Sequence, residues 1–234
     1  MRNNITISEI REKYQYHGLY SQYINDHMLA LISPYFTKIF VSKGIVPNKV
    51  TGLMMLFGVI GAILFAIPNL YIKWIGIVAF YLWYAMDLCD GEVARITKNF
   101  STYGKELDYT AHAIDHPLFT LSFMLNVYED MILVFLIAAL GLLDSIFRNF
   151  QTFEVVWRLK EISEGESSSV ASKGVMRFLK YIFLNLSTFP LFVLIFPIVV
   201  MFSYKYAYIY VVAAIITTIT IDFLSIKSWL SRTL

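Results

Sequence analysis

The sequence is poor in cysteine and in charged residues. Its 234 residues include a single cysteine, Cys89, which excludes an internal disulfide framework and a multi-cysteine zinc cluster. Charged residues make up 15% of the chain, against about 25% in an average soluble protein. The first twenty residues contain no long apolar run, so we expect no cleavable signal peptide there. These absences argue against a small secreted domain and against an ordinary soluble one.

Hydrophobic residues are abundant instead, at 58% of the chain, and they lie in long blocks. A helix needs roughly 20 mostly apolar residues to cross a bilayer. We therefore predict an all-α integral membrane protein with six transmembrane helices, the fifth of them kinked at Pro190 and Pro197. The predicted spans are residues 50–67, 70–86, 109–128, 131–147, 178–202 and 206–224.

The positive charges predict the orientation of these spans. Of the 19 lysine and arginine residues, all but Lys73 and Lys205 lie in the two termini and the two long loops. Loops rich in lysine and arginine stay on the cytoplasmic side of a membrane. We therefore expect both termini to be cytoplasmic, at the plasma membrane if the source is bacterial.

The N-terminal part of the chain has a different character. Residues 24–42 mix apolar side chains with Asp26, His27 and Lys38, which predicts an amphipathic helix in the membrane interface, bent at Pro34. The alternative is a polar tail with a loose apolar patch. We divide the chain into an interfacial segment, 1–45, and a membrane domain, 46–234.

An acidic pattern follows the second predicted span. Asp87, Asp90, Gly91 and Ala94 are spaced as i, i+3, i+4 and i+7, which puts them on one face of a helix. Carboxylates one turn apart repel each other unless a cation lies between them, and hard divalent cations prefer oxygen ligands. The alternative is a pair of solvated loop carboxylates. Glu92 points to another face, and we interpret it as solvated.

A second polar face opens the third predicted span. Asp108, His112 and Asp115 are spaced as i, i+4 and i+7. Ionisable groups in membrane helices usually mark function. The two faces can therefore meet just inside the cytoplasmic boundary and form a metal site with room for a polyphosphate. A simple surface pair of Asp108 with His112 is the alternative.

The combined pattern resembles the signature of the CDP-alcohol phosphotransferase family, Asp-x2-Asp-Gly-x2-Ala-Arg-x8-Gly-x3-Asp-x3-Asp. Seven of the eight fixed positions match, and the eighth holds His112. The matching residues are Asp87, Asp90, Gly91, Ala94, Arg95, Gly104 and Asp108. The family's Pro-Asn-x-x-Thr segment also has a counterpart, which ends at Thr51, so that the similarity covers about residues 45–225.

The resemblance implies roles for these residues. One or two Mg²⁺ or Mn²⁺ ions would grip the donor's diphosphate, held by Asp87, Asp90, Asp108 and His112. The nucleotide would be bound by Asn48, Thr51, Gly91, Ala94, Arg95 and Gly104. An ordinary helix N-cap is the alternative for Asn48.

The last aspartate of the signature is the family's usual base, and here His112 replaces it. An imidazole has an ordinary pKa of about 6.5, nearer to neutrality than the about 3.9 of an aspartate. Imidazole also suits Mn²⁺ better than Mg²⁺. Whether His112 is base, metal ligand or both stays open, and Asp115 can orient it or act in its place. We interpret His116 as a packed polar residue.

The implied reaction moves a phosphoalcohol group from CDP-diacylglycerol or a soluble CDP-alcohol to an alcohol acceptor, with release of CMP. It would serve phospholipid or cell-envelope lipid synthesis in the bilayer, and the resemblance implies a homodimer. Arg148 forms an i, i+4 ion pair with Asp144 or, with Arg158, recognises an anionic acceptor. We interpret the aromatic residues as membrane belts, so we expect no nucleic-acid partner.

Other functions agree less well with the sequence pattern. An ion-coupled transporter with buried carboxylates would need charges near the middle of the membrane and repeated halves, and neither pattern is visible. A polyprenyl transferase would not need the Gly-x-x-Ala-Arg extension. A catalytically inactive relative and a nonenzymatic scaffold are the remaining alternatives.

Overall fold

The computed structural model describes residues 5–15, 23–162 and 175–233. At residues 150–162, 175–180, 225 and 228–233 it describes the backbone only. These described residues form ten α-helices and no β-strand, which confirms the all-α class. The helices are α1 (Ile7–Lys13), α2 (Ile24–Leu29), α3 (Ser33–Ser42), α4 (Pro47–Ala66), α5 (Leu70–Thr97), α6 (Gly104–Asn126), α7 (Met131–Ile162), α8 (Val175–Leu186), α9 (Phe189–Phe202) and α10 (Tyr204–Thr233).

Four stretches of the described chain are long and apolar enough to cross a membrane. They are Pro47–Ala66, Leu70–Thr97, Met131–Asn149 and Tyr204–Leu224. Helix α9 has only 14 residues, and α6 begins with a polar face that lowers its hydropathy. The chain is thus an integral membrane protein, while the count of six spans stays a prediction.

The predicted fifth span is two helices. Helix α8 ends at Leu186, and α9 begins at Phe189. The hydroxyl and the backbone N–H of Thr188 both donate to the carbonyl of Asn185, at 2.8 and 3.2 Å, and this tight turn ends α8. Pro190 lies in the first turn of α9, where its missing N–H group is not needed. The interruption predicted at Pro190 is therefore present, but as a break between two helices and not as a kink within one.

Helix α5 extends eleven residues beyond the predicted span, to Thr97, and ends where Lys98 adopts a left-handed conformation with φ 53°. Asp87 and Asp90 are therefore helical residues and half-buried, which contradicts the alternative of solvated loop carboxylates.

Helices α4, α5 and α6 pack closely together. A Cβ atom on Gly76 of α5 would lie 2.8 Å from the backbone nitrogen of Phe65 in α4, so the crossing needs a glycine. Within a membrane, helix association relies on such close packing of small residues. A column of aromatic rings fills the core around this crossing, formed by Phe65, Phe80, Phe119, Phe123, Phe192 and Phe196.

Hydrogen bonds at the end of α6 set its register against α4. Ser122 donates to the carbonyl of Ala62, and Asn126 donates to the carbonyl of Phe65, both at 2.7 Å. The Phe65 carbonyl belongs to the last turn of α4, where backbone acceptors lack helical partners, and Ala62 lies just before that turn. The same register brings the start of α6 beside the start of α4, where the signature residues lie.

The described residues of the N-terminal segment form three helices, which lie against the membrane domain. The predicted bent helix 24–42 is divided into α2 and α3, with Pro34 in the first turn of α3. Its outward face exposes apolar residues, as an interfacial helix would, although its place in the membrane stays a prediction. The exposed residues are Leu31, Ile32, Tyr35 and Ile39. The division at residue 45 also stays a prediction.

Glu92 is a clear correction to the sequence analysis. Instead of being solvated, it is only 2% exposed, and its carboxylate accepts hydrogen bonds from Ser33 and Thr37 of α3. The side of α5 that carries Glu92 is covered by the N-terminal segment.

Candidate active site

Asp87 of α5 lies beside Asp108 and His112 of α6. The Nε2 atom of His112 is 3.1 Å from Oδ1 of Asp87 and 3.4 Å from Oδ1 of Asp108. One ligand atom from each of the three side chains lies within 4.8 Å of the others. The two predicted polar faces therefore meet.

Local structure explains this convergence. Residues 98–103 join the end of α5 to the start of α6, so the two helix ends lie side by side. The ring of His112 packs edge-on against Trp83, at 5.7 Å between centroids. Its Nδ1 atom is buried and has no hydrogen-bond partner among the described residues. Packing thus directs Nε2, rather than Nδ1, at the two carboxylates.

The three side chains fit a divalent cation. Two ligands of one Mg²⁺-sized ion, each about 2.1 Å from it, lie about 3–4 Å apart. The separations of 3.1 and 3.4 Å from His112 Nε2 to the two carboxylate oxygens are of this size. Two carboxylates with one imidazole suit Mn²⁺ better than Mg²⁺.

Asp90 faces α4. Its Oδ2 atom accepts a 2.7 Å hydrogen bond from the hydroxyl of Thr51, which is 4% exposed. Asp90 is outside the group that could share an ion among the described residues, although it lies one turn from Asp87. The structure therefore pairs a predicted metal ligand with a predicted nucleotide-binding residue.

Asn48 and Gly104 are neighbours at the same end of the bundle. Asn48 donates to the hydroxyl of Ser101 at 3.1 Å, and a Cβ atom on Gly104 would lie 3.9 Å from Asn48 Oδ1. The N-cap alternative for Asn48 was wrong: α4 begins at Pro47, its N-cap residue is Val46, and no side chain caps it.

The missing side chain of Gly91 makes room for Arg95. A Cβ atom on Gly91 would lie 2.9 Å from Nη1 of Arg95, so the guanidinium lies over the glycine. The Nε atom of Arg95 donates to the backbone carbonyl of Tyr14 at 2.6 Å. Ala94 is half-buried one turn after Asp90. The predicted nucleotide-binding residues of α5 therefore border the N-terminal segment.

Asp115 has a separate environment from His112. It is fully buried, and its Oδ2 atom accepts a 3.0 Å hydrogen bond from the indole of Trp83. A Cβ atom on Gly58 would lie 2.6 Å from its carboxyl carbon, so the carboxyl group fills the space above that glycine. In the part of the chain that is described, no hydrogen bond joins Asp115 to His112.

A second polar cluster lies one helical turn deeper and was missed by the sequence analysis. His116 Nδ1 is 2.8 Å from Oδ2 of Asp144 and 2.6 Å from Nη2 of Arg148. Phe189 stacks on the imidazole at 4.4 Å between centroids. The Asp144–Arg148 pair that the spacing predicts is also present, at 3.7 Å. Arg158 lies outside the residues whose side chains the structure describes.

The comparison with protein families decides the assignment. The sequence model of the CDP-alcohol phosphatidyltransferase family matches residues 44–220, which is most of the chain. The chain belongs to the CDP-alcohol phosphatidyltransferase family. A search of individually curated proteins found no match. The match includes the signature run from Asp87 to Asp108 and the segment around Thr51, while α1, α2 and α3 precede it.

Members of the CDP-alcohol phosphatidyltransferase family are transferases that use a CDP-alcohol donor and an alcohol acceptor, and they generally use divalent metals. The juxtaposition of Asp87, Asp108 and His112 agrees with that chemistry. Family membership also favours a transferase over the ion-coupled transporter considered above.

Proposed function

We propose that this protein transfers a phosphoalcohol group, which can be a phosphatidyl group, from a CDP-linked donor to an alcohol acceptor and releases CMP. The pathway would be phospholipid or cell-envelope lipid synthesis. The observation that carries the proposal is the meeting of Asp87, Asp108 and His112 inside a family match that includes the full spacing of the signature.

Asp87 and Asp108 would hold one Mg²⁺ or Mn²⁺ ion, with His112 and Asp90 as further candidate ligands for one or two ions. When bound, such an ion neutralises the donor's phosphates and stabilises the charge that develops during phosphoryl transfer. Thr51 supports this arrangement because its hydroxyl fixes the direction of the Asp90 carboxylate.

His112 is our candidate for the base that takes the proton of the acceptor hydroxyl. Its Nε2 atom faces the two carboxylates, and its Nδ1 atom is buried. A single nitrogen cannot bind a metal and accept a proton at the same moment, so the two roles of His112 compete. Asp87 and Asp108 would stabilise the imidazolium that forms when His112 takes the proton. Asp115, hydrogen-bonded to Trp83, is the alternative base.

The nucleotide would bind along α5, over Ala94 and beside the Arg95 guanidinium that lies at Gly91. We propose that this guanidinium contacts a phosphate or a cytosine carbonyl of the donor there. Asn48 and Gly104, which are adjacent at the end of the bundle, would border the same site.

The first prediction concerns the activity itself. Purified protein with Mn²⁺ or Mg²⁺ is expected to release radiolabelled CMP from at least one of CDP-diacylglycerol or a panel of soluble CDP-alcohols. Asp90→Asn should reduce this release at least about 100-fold, because a ligand charge and the acceptor of the Thr51 hydrogen bond are weakened together. Exposed Ser42→Ala should release CMP normally and serves as the control. If no donor and acceptor pair led to CMP release, the proposed transferase activity would be contradicted.

The second prediction separates the roles of His112. His112→Ala is expected to lose turnover but to keep Mn²⁺-dependent CMP binding, measured by calorimetry. His112→Asp should recover part of the turnover, because it restores the carboxylate of the family signature, and should shift the preference from Mn²⁺ toward Mg²⁺. Loss of metal-dependent CMP binding in His112→Ala would show that His112 is a metal ligand. Normal turnover in this variant would assign the role of the base to Asp115.

Arg148 is the candidate for recognition of the acceptor. Its guanidinium is held by His116 and Asp144, and the ring of His116 is 5.3 Å from that of His112. A positive charge thus lies one side chain away from the proposed base. Such a charge suits an acceptor that carries a phosphate. Arg158 would join it at the same end of the bundle.

The third prediction follows from this position. Arg148→Lys should raise the KM for a phosphate-bearing acceptor about tenfold, since lysine cannot reproduce the planar two-pronged contact of a guanidinium. The KM for the CDP-linked donor should stay within about twofold, because donor contacts lie on α5. An equal rise in both KM values would argue that Arg148 acts on the packing of the bundle instead.

The fourth prediction concerns topology and assembly, for which we propose cytoplasmic termini, a cytoplasmic site and a homodimer. The native Cys89 is buried, so single cysteines introduced at Glu12 and Lys105 give a clean label. In right-side-out vesicles both should resist a membrane-impermeant maleimide until the vesicles are opened. Labelling before the vesicles are opened would show that the topology is inverted.

Crosslinking in the same vesicles should yield dimers. A yield of monomers alone would contradict the proposed homodimer.

A further inference from the structure

The N-terminal segment is joined to α5 through the buried carboxylate of Glu92. Its Oε1 atom accepts from the hydroxyl of Ser33 at 2.6 Å and from the side-chain amide of Gln15 at 3.1 Å. Its Oε2 atom accepts from the hydroxyl of Thr37 at 2.5 Å. All three donors belong to residues that precede the family match. Glu92 itself lies inside the signature, directly after Gly91.

These contacts are energetically important to α5. A buried carboxylate is costly unless several donors compensate it, and Glu92 is 2% exposed. Gln15 contributes further, because its amide also lies 2.8 Å from the carbonyl of Ala30 and 3.2 Å from the hydroxyl of Ser33. The amide of Gln15 therefore connects Glu92, the turn between α2 and α3, and the start of α3.

The neighbouring residue, Tyr14, makes the contact that matters to the donor site. Its backbone carbonyl accepts a 2.6 Å hydrogen bond from Nε of Arg95, whose guanidinium lies over Gly91. Tyr14 and Gln15 are adjacent in the chain, so fixing the Gln15 side chain against Glu92 also fixes the Tyr14 carbonyl. One hydrogen bond that orients Arg95 thus comes from a segment 81 residues away in sequence.

We propose that Tyr14 and Gln15 are positioning residues for the donor nucleotide: they hold the Arg95 guanidinium over Gly91 by way of the Tyr14 carbonyl and the Gln15–Glu92 hydrogen bond. This inference rests on the proposed function, since it takes the ligand beside Arg95 to be a CDP-linked donor. The N-terminal segment then sets the affinity for the donor, and the chemical step stays with Asp87, Asp108 and His112.

The test uses the full-length protein with Gln15→Leu, which removes the amide but keeps the approximate volume. We expect the KM for the CDP-linked donor to rise about tenfold, the effect of losing one hydrogen bond to a charged group. The kcat and the acceptor KM should stay within about twofold. Thr37→Val, which removes another donor to Glu92, should act in the same direction. Ser42→Ala, which removes an exposed hydroxyl from the same helix, is the matched control and should change neither KM.

A double-mutant cycle shows whether Gln15 acts through Arg95. Arg95→Lys keeps the charge but loses Nε, the atom that contacts Tyr14. In this background Gln15→Leu should raise the donor KM less than about twofold further, because the positioned group is already gone. A purely structural role of Gln15 would instead lower the active fraction in both backgrounds without changing the KM. Full additivity of the two effects would overturn the inference.

A chemical probe tests the positioning independently of turnover. The rate at which phenylglyoxal modifies Arg95, measured by peptide mass spectrometry, should rise at least about fivefold in Gln15→Leu, because the hydrogen-bonded guanidinium is released. An unchanged rate would overturn the inference whether or not the wild type is active. If the wild type releases no CMP but Arg95 modification rises, the proposed function fails while the positioning contact stands. If the wild type is active and the variants keep the donor KM, the inference alone fails.

Discussion

The negative charge of every carboxylate on helix α5 must be compensated by a hydrogen-bond donor or a positive group. This constraint determines how the neighbouring elements are arranged around α5. Asp87 faces the imidazole of His112, Asp90 accepts the hydroxyl of Thr51, and Glu92 accepts hydroxyl and amide groups from the N-terminal segment. Each carboxylate thus turns to a different neighbour of the same helix. Because an uncompensated charge is costly inside a protein, these contacts determine which elements must surround α5.

Packing among α4, α5 and α6 makes this distribution of partners possible. Gly76 lets α5 approach the backbone of α4, and Ser122 sets the register of α6 against α4. That register brings Asp108 and His112 beside Asp87, and it buries Asp115 against Trp83 and Gly58. The result is a site in which one carboxyl group of α6 faces Asp87 and His112 while another is enclosed by the bundle.

The N-terminal segment and the second histidine cluster both contact residues of the site. Tyr14 and Gln15 reach Arg95 and Glu92 from outside the family match, while His116 links the region of His112 to Arg148 on α7. In our proposal the first contact serves the donor and the second serves the acceptor. The chemical step itself would be carried out by residues at signature positions, Asp87, Asp108 and His112.

Three features could be predicted from the amino-acid sequence: the membrane class, the shared helical faces of Asp87 with Asp90 and of Asp108 with His112, and the family resemblance. These depend on local composition, on a helical period of about 100° per residue and on fixed spacing. Three others depend on the packing of the folded chain: the burial of Glu92, the division of the predicted span 178–202 into two helices, and the contact of His116 with Asp144. Periodicity gives the direction of a side chain around its own helix, but the neighbour that it meets depends on how distant helices pack.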